Sequence, residues 1–346
     1  LVRNGHTVVI QAGAGRGSPL TDERVEAAGA SILPTAADVW GAADMIVKVK
    51  EPLPSEYGFL REDLLLFTYL HLAASRECTE ALLSSKTTSI AYETVELPDR
   101  TLPLLAPMSE VAGRLAPQVG AQALLKASGG RGVLLGGTPG VHAGKVVVIG
   151  AGVAGQNAAA IALGMQAEVL LLDRDIARLR TMDAIYQGHM QTVASNQYEI
   201  ERCVLDADMV IGAVLIHGAK APKLISNELV SQMKPGSVLV DISIDQGGCF
   251  EASRPTTHAD PTYEVHDSLF YCVANMPGAV PHTSTWALTN VTLPYMLDLA
   301  THGWREACRR DHALALGLNT HAGEITYKAV GEAFDLPSVS LDSVLA

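Results

Sequence analysis

Lys50, His71 and Asp245 each stand at the end of an apolar run. Together they offer a fixed cation, a group that exchanges protons near neutral pH and a carboxylate. That set suits oxidation of an amino acid by a nicotinamide, which needs a base to take a proton from nitrogen or water and a cation beside the carboxylate. A second feature would seat the nicotinamide carrier. Val146-Val147-Val148-Ile149 leads into Gly150-Ala151-Gly152-Val153-Ala154-Gly155, and alanine-rich sequence of helical character begins near Val153. In this spacing Gly150 permits a tight turn, Gly152 lets backbone approach a pyrophosphate, and Gly155 lets helix and strand pack closely. Asp173 closes the next apolar run. A carboxylate there accepts both ribose hydroxyl hydrogens of an adenosine and repels a 2′-phosphate, favouring NAD over NADP, although the adjacent Arg174 works against that choice.

Each feature has a plainer reading. His71, between Leu70 and Leu72, fits a hydrogen-bonded core histidine. Lys50 beside Glu51 fits a surface pair, and Asp245 before Gln246-Gly247-Gly248 fits an Asx turn. In a chain with 31 glycines a glycine fingerprint arises by chance, but strand, helix and acid in the right order make chance the weaker account here. Gly13-Ala14-Gly15-Arg16-Gly17 has the wrong spacing and no helix directly behind it, so it reads as a loop. On the residues alone, the roles of Lys50, His71 and Asp245 stay open.

The elements that must position these residues follow from length and pattern. At 346 residues, 48% hydrophobic and 18% charged, the chain fits two α/β domains. A formal charge of -12 argues against a nucleic-acid surface, and no apolar run is long enough for a membrane span. The five cysteines are far apart with no CxxC pair and read as reduced thiols of a cytoplasmic protein. The pattern predicts strands over 6–11, 45–49 and 64–70, and a helix over 22–28 capped by Thr21. Six more strands, over 146–149, 168–172, 190–194, 209–213, 237–242 and 269–273, predict a doubly wound parallel sheet. Residues 285–310 read as helix, bent at Pro294. The expected class is α/β, with two Rossmann-like domains flanking a cleft. Residues 1–103 with 281–346 form the substrate domain and 104–280 the dinucleotide domain.

Five longer segments resemble the alanine dehydrogenase family. They are Ile46-Val47-Lys48-Val49-Lys50-Glu51-Pro52, Leu66-Phe67-Thr68-Tyr69-Leu70-His71-Leu72-Ala73-Ala74 and Ala106-Pro107-Met108-Ser109-Glu110-Val111-Ala112-Gly113-Arg114, with the run Asp241 to Phe250 and Asn275-Met276-Pro277-Gly278-Ala279-Val280-Pro281. The likeness spans essentially the whole chain, and the proton-translocating transhydrogenase α subunit shares parts of it.

The resemblance implies a reversible oxidative deamination of L-alanine to pyruvate and ammonia with NAD. His71 and Asp245 would be the catalytic pair, and Lys50 would bind the substrate oxygens. NAD contacts would come from Ser109, Val153, Ala154, Asp173, Arg178, Ser195, Val214 and Leu215. Two turns would add Ile242, Ser243, Ile244 and Asp245, then Val273, Ala274, Asn275 and Met276. Arg178 stands where the family has lysine, which keeps the charge. The family also begins with about two dozen further residues carrying an arginine that clamps the substrate carboxylate in a planar fork, and this chain is expected to start after them. It implies a homohexamer too. A divalent ion, Mg2+, on Asp298 and His302 is a further implication, although a solvated pair one helical turn apart explains those residues equally well. Two rival readings remain: a transhydrogenase α subunit passing hydride between nucleotides, and an NAD-binding protein without turnover.

Overall fold

A computed structural model describes residues 1–214, 216 and 221–346. Strands run in chain order as β1 (Val9–Gln11), β2 (Ser31–Leu33), β3 (Met45–Val47), β4 (Leu65–Thr68) and β5 (Thr88–Ala91), then β6 (Lys145–Ile149), β7 (Glu168–Asp173), β8 (Gln191–Ala194), β9 (Met209–Gly212) and β10 (Val238–Asp241). β11 (Thr262–Val265), β12 (Ser268–Tyr271), β13 (Leu318–His321) and β14 (Glu324–Ile325) complete the set. The chain divides into two compact units, one of Leu1–Pro107 with Val280–Ala346, the other of residues 108–214, 216 and 221–279.

The second unit is a seven-stranded sheet in the order β11-β12-β10-β9-β6-β7-β8. β6 pairs in parallel with both β7 and β9, so the chain reverses its direction of travel across the sheet beside β6. Alternate residues of β6 face two cores: Val146 and Val148 pack in one cluster, Val147 and Ile149 in the other. Burial on both faces is why these strands read as continuous apolar runs. The six expected strands are present, and a seventh, β11, adds an antiparallel edge against β12. Its alternating Thr262-Tyr263-Glu264-Val265 is only partly buried and lacks the apolar signal.

In the first unit β3, β4 and β5 are parallel, β13 and β14 extend the sheet antiparallel beyond β5, and β1 pairs only with β2. The helix Asp22–Ala27 starts where expected, with the Thr21 hydroxyl accepting from Arg24 N. The loop before it is closed from that helix, since Gly13 N donates to the Asp22 carboxylate at 2.9 and 3.0 Å. One helix, Pro281–His302, spans Pro294 and ends at Gly303. Pro294 and Asn290, whose carbonyl loses its donor, are both exposed residues, which lowers the cost of the missing bond. Gly303, with φ 74°, makes the break before the helix Trp304–Arg310.

All five cysteines are free and buried. Burial pushes the Cys272 thiol to about 11 and those of Cys78 and Cys308 to about 12. No helix of the described residues is long and apolar enough to cross a membrane.

His321, at the end of β13, lies between Thr88 Oγ1 (2.9 Å from Nδ1) and the Arg305 guanidinium (3.4 Å from Nε2). Burial, then the Arg305 charge, lowers its pKa from the ordinary 6.5. A histidine depressed by folding contributes stability that is whole above the unfolded value and is lost as pH falls below it. His321→Gln should therefore flatten the decline in melting temperature below pH 6.5. An unchanged melting profile against pH would show that His321 contributes nothing to it.

Candidate cofactor and catalytic site

The carboxyl ends of the parallel strands gather most of the residues singled out in the sequence. After β6 the chain turns through Gly150, at φ +104°, where a Cβ would lie 2.6 Å from Ala213 O beyond β9. The helix Val153–Gly164 follows at once. A Cβ on Gly155 would stand 1.7 Å from Gly150 O, so only glycine allows that approach. Gly152 differs: its φ is ordinary, and a Cβ would meet nothing within 4 Å. It also caps the helix without any side-chain bond to the first-turn N–H groups. Open space beside unsatisfied donors at the positive end of a helix is what a pyrophosphate needs, so these residues fit the dinucleotide.

Asp173 ends β7, and its carboxylate is pinned at the loop. Oδ2 accepts from Ala151 N, Oδ1 from Asp175 N at 2.7 Å, and the Arg178 guanidinium lies 3.9 Å from Oδ2. Arg178 also pairs with Asp175 at 3.5 Å, while Arg174 is exposed. Ser195, just past β8, donates its N–H to Asp173 O at 2.8 Å. Val214 follows β9, and its carbonyl accepts from Ser243 Oγ at 2.8 Å, which joins that loop to the turn Ile242–Gln246 after β10. Leu215 lies outside the described residues.

Asp245 sits in this turn together with Ile242, Ser243 and Ile244. The turn is capped at its start by Asp241, to which the sequence reading gave no role of its own. Fully buried, Asp241 accepts from Ser243 N (2.9 Å), Cys249 N (2.8 Å) and Ser253 Oγ. Burial raises its pKa, and these donors oppose the rise. Beyond β12, Val273 and Met276 are buried, and Asn275 adopts φ 59° with its carbonyl accepting from Gly278 N (2.8 Å), while Ala274 N donates to Thr256 O. Ser109 lies in the helix Ala106–Leu124, which Arg114 ties to Asn157 of the glycine-loop helix at 2.8 Å.

Lys50 and His71 belong to the first unit. Lys50 is partly buried in the turn after β3, and its carbonyl accepts from Thr68 Oγ1 at 3.0 Å. His71 follows β4 at φ 49° and ψ 38°, a left-handed conformation that costs a residue with a Cβ about 1 kcal/mol or more. Its imidazole lies parallel to the Tyr69 ring at 6.0 Å between centroids, and its Nδ1 is 4.0 Å from Glu93. Glu93 is a second residue the sequence reading missed, because β5, which delivers it, was not recognised. A buried histidine without backbone strain would fit the plain core reading; this one is strained and partly accessible.

Asp298 and His302 approach to 3.6 Å, and Arg310 reaches Asp298 at 3.8 Å. No group of three metal-ligating side chains occurs among the described residues. The magnesium expectation gains no support here: two donors share their surroundings with a guanidinium that repels a cation.

Fold and strand-end residues together define a dinucleotide-binding α/β protein. The description "Alanine dehydrogenase/PNT, N-terminal domain" matches residues 1–112 and "Alanine dehydrogenase/PNT, C-terminal domain" residues 116–328. A protein named alanine dehydrogenase from Mycobacterium tuberculosis (strain CDC 1551 / Oshkosh) is 62% identical over 346 residues, covering 100% of this chain and 93% of its own. A solved L-alanine dehydrogenase superposes with a TM-score of 0.88 at 51% identity, covering 96% of this chain and 92% of its own. A transhydrogenase from Sinorhizobium meliloti reaches a TM-score of 0.76 at 26% identity, covering 95% and 92%. The chain belongs to the alanine dehydrogenase/PNT family, the one its sequence motifs resemble.

The glycines divide by role, and isothermal titration separates them. Gly155→Ala should fail to give a folded dinucleotide domain. Gly152→Val should fold, with a melting temperature near that of the parent, and bind NADH at least tenfold more weakly. Asp173→Ala should also weaken NADH binding and narrow the preference over NADPH; equal affinities for parent and variant would remove Asp173 from the ribose site.

Proposed function

We propose that this protein is an NAD-dependent alanine dehydrogenase, interconverting L-alanine with pyruvate and ammonia. The observation that carries this reading is the 62% identity over the whole chain to a protein of that name. Bound NAD supplies the hydride acceptor. All other work falls to the chain. The first-turn amides after Gly152 hold the pyrophosphate and Asp173 the ribose, with Ser109, Arg178, Ser195, Val214, Leu215 and the turns 242–245 and 273–276 completing the seat.

Lys50 holds the substrate oxygens, which fixes the α-carbon in place. Loss of hydride leaves an imino acid that is cationic at nitrogen, and water attacks its α-carbon. His71 takes a proton from that water as the C–O bond forms and passes it to the amine nitrogen. The C–N bond then breaks, the hydroxyl gives its proton back to His71 to become the pyruvate carbonyl, and ammonia leaves. Asp245 orients the water and offsets the positive charge of the imine. In reverse, the same groups add ammonia to pyruvate.

Finer expectations accompany the reading: a cytoplasmic homohexamer, testable by light scattering. The pairing of Asp298 with His302 and Arg310 lends no support to a magnesium ion there. The alternative, a transhydrogenase-like nucleotide module, draws support from the 0.76 TM-score. Such a module would bind NADH and show no alanine-dependent activity.

NADH absorbance tests the proposal, with alanine and NAD in one cuvette and pyruvate, ammonia and NADH in another. Turnover in both is expected; silence in both despite NADH binding would overturn it. His71→Ala should lower turnover by about a hundredfold or more with NADH affinity nearly unchanged. Parent-like turnover would return His71 to the role of a core histidine.

A further inference from the structure

We infer that Glu93 is the positioning residue that sets the imidazole of His71, acting through the His71 backbone. The inference rests on the reading of His71 as the acid/base group. Glu93 follows β5 in the turn Tyr92–Thr94 and is only 5% exposed. Its Oε1 accepts from His71 N at 2.6 Å and from Leu70 N at 3.1 Å, and its Oε2 lies 3.3 Å from Leu70 N. One carboxylate thus receives two successive N–H groups at the very point where the backbone enters the left-handed region.

The geometry explains a conformation that is otherwise unfavourable. Past β4 the N–H groups of Leu70 and His71 turn inward, away from water, and buried donors must find acceptors. An ionised acceptor makes shorter and stronger bonds than a carbonyl, enough to hold a histidine where glycine or asparagine would settle more easily. With φ fixed at 49°, the Cα–Cβ direction of His71 is fixed as well, and stacking on Tyr69 leaves the ring little choice of plane. Tyr69 is itself immobilised, its hydroxyl donating to Leu104 O. Burial, then the Glu93 charge, pushes the Tyr69 phenol well above its ordinary value, so it stays protonated and keeps that bond.

A carboxylate that merely closes the β4–β5 end of the sheet would, on removal, lower stability without touching kcat selectively. Three variants separate the roles. Glu93→Gln retains an oxygen where Oε1 stands, able to accept from both N–H groups. Glu93→Ala removes it, and Glu93→Asp draws it back by one methylene. Glu93→Ala should lower kcat about a hundredfold, the scale of a reacting group displaced by about an ångström, with the NADH dissociation constant within about twofold of the parent. Glu93→Gln should recover kcat to within about fivefold of the parent. If Glu93→Ala does not fold, Glu93→Asp carries the comparison, with a loss of kcat expected at unchanged NADH affinity. His71→Ala is measured alongside: if it keeps parent turnover, the acid/base reading fails. If His71→Ala is inactive while folded Glu93→Ala, or Glu93→Asp in its place, keeps parent kcat, the positioning role alone is overturned. Glu93→Gln as impaired as Glu93→Ala would overturn the backbone route.

Discussion

The helix that follows β6 lies so close to the end of that strand that a single methyl group at position 155 would overlap the carbonyl oxygen of Gly150. The rest of the dinucleotide unit is arranged around this approach. Because Gly150 turns at positive φ against Ala213 O, the loops after β6 and β9 touch, and Ser243 extends the contact to the turn after β10. Because Ala151 N then points at β7, the Asp173 carboxylate has a backbone donor and does not swing into solvent. The open space at Gly152 is what remains when its neighbours are packed as tightly as backbone permits. A ligand site here is a consequence of close packing around one residue without a side chain.

A second device recurs in both units: a carboxylate at a strand end that gathers the N–H groups of the next segment. Asp241 at the end of β10 takes two N–H groups and a hydroxyl. Glu93 after β5 takes two N–H groups of the segment that follows β4. Each is almost wholly buried, where an ion without such donors would be costly. Each fixes a short irregular segment that carries a residue proposed for the chemistry. Neither carboxylate need meet substrate to matter, since loss of an acceptor would leave buried donors unsatisfied at the segment whose geometry counts most.

The legible parts of the molecule were those where burial imposes a repeating pattern. β6, β7, β9 and β10 are buried on both faces and announce themselves as apolar runs, and the glycine loop sits between two of them in the expected order. β5 did not, because half of Thr88-Ser89-Ile90-Ala91 is polar and is buried through hydroxyl pairing. Ser89 Oγ meets Thr320 Oγ1 at 2.7 Å, and Thr320 Oγ1 also donates to Thr87 O. β13 supplies the partner some 230 residues away, a separation at which composition gives no warning. With β5 unread, Glu93 was unread too, although Tyr92-Glu93-Thr94 has the same form as the strand-end acids that were noticed.

The helix Pro281–His302 contains a proline at a position where its cost is small. Proline removes one bond and is disruptive when the carbonyl left over is buried. Here that carbonyl belongs to exposed Asn290, and the helix continues. Asp241 shows the same dependence on where backbone groups are buried. Asp241 and Asp245 are both acids next to a tight turn, and the sequence offered an Asx turn to Asp245 because the glycines follow it. The buried donors, Ser243 N within the turn and Cys249 N beyond it, converge on Asp241. Where the buried backbone groups end up, and not only which residue types adjoin a glycine, gives Asp241 its place at the turn.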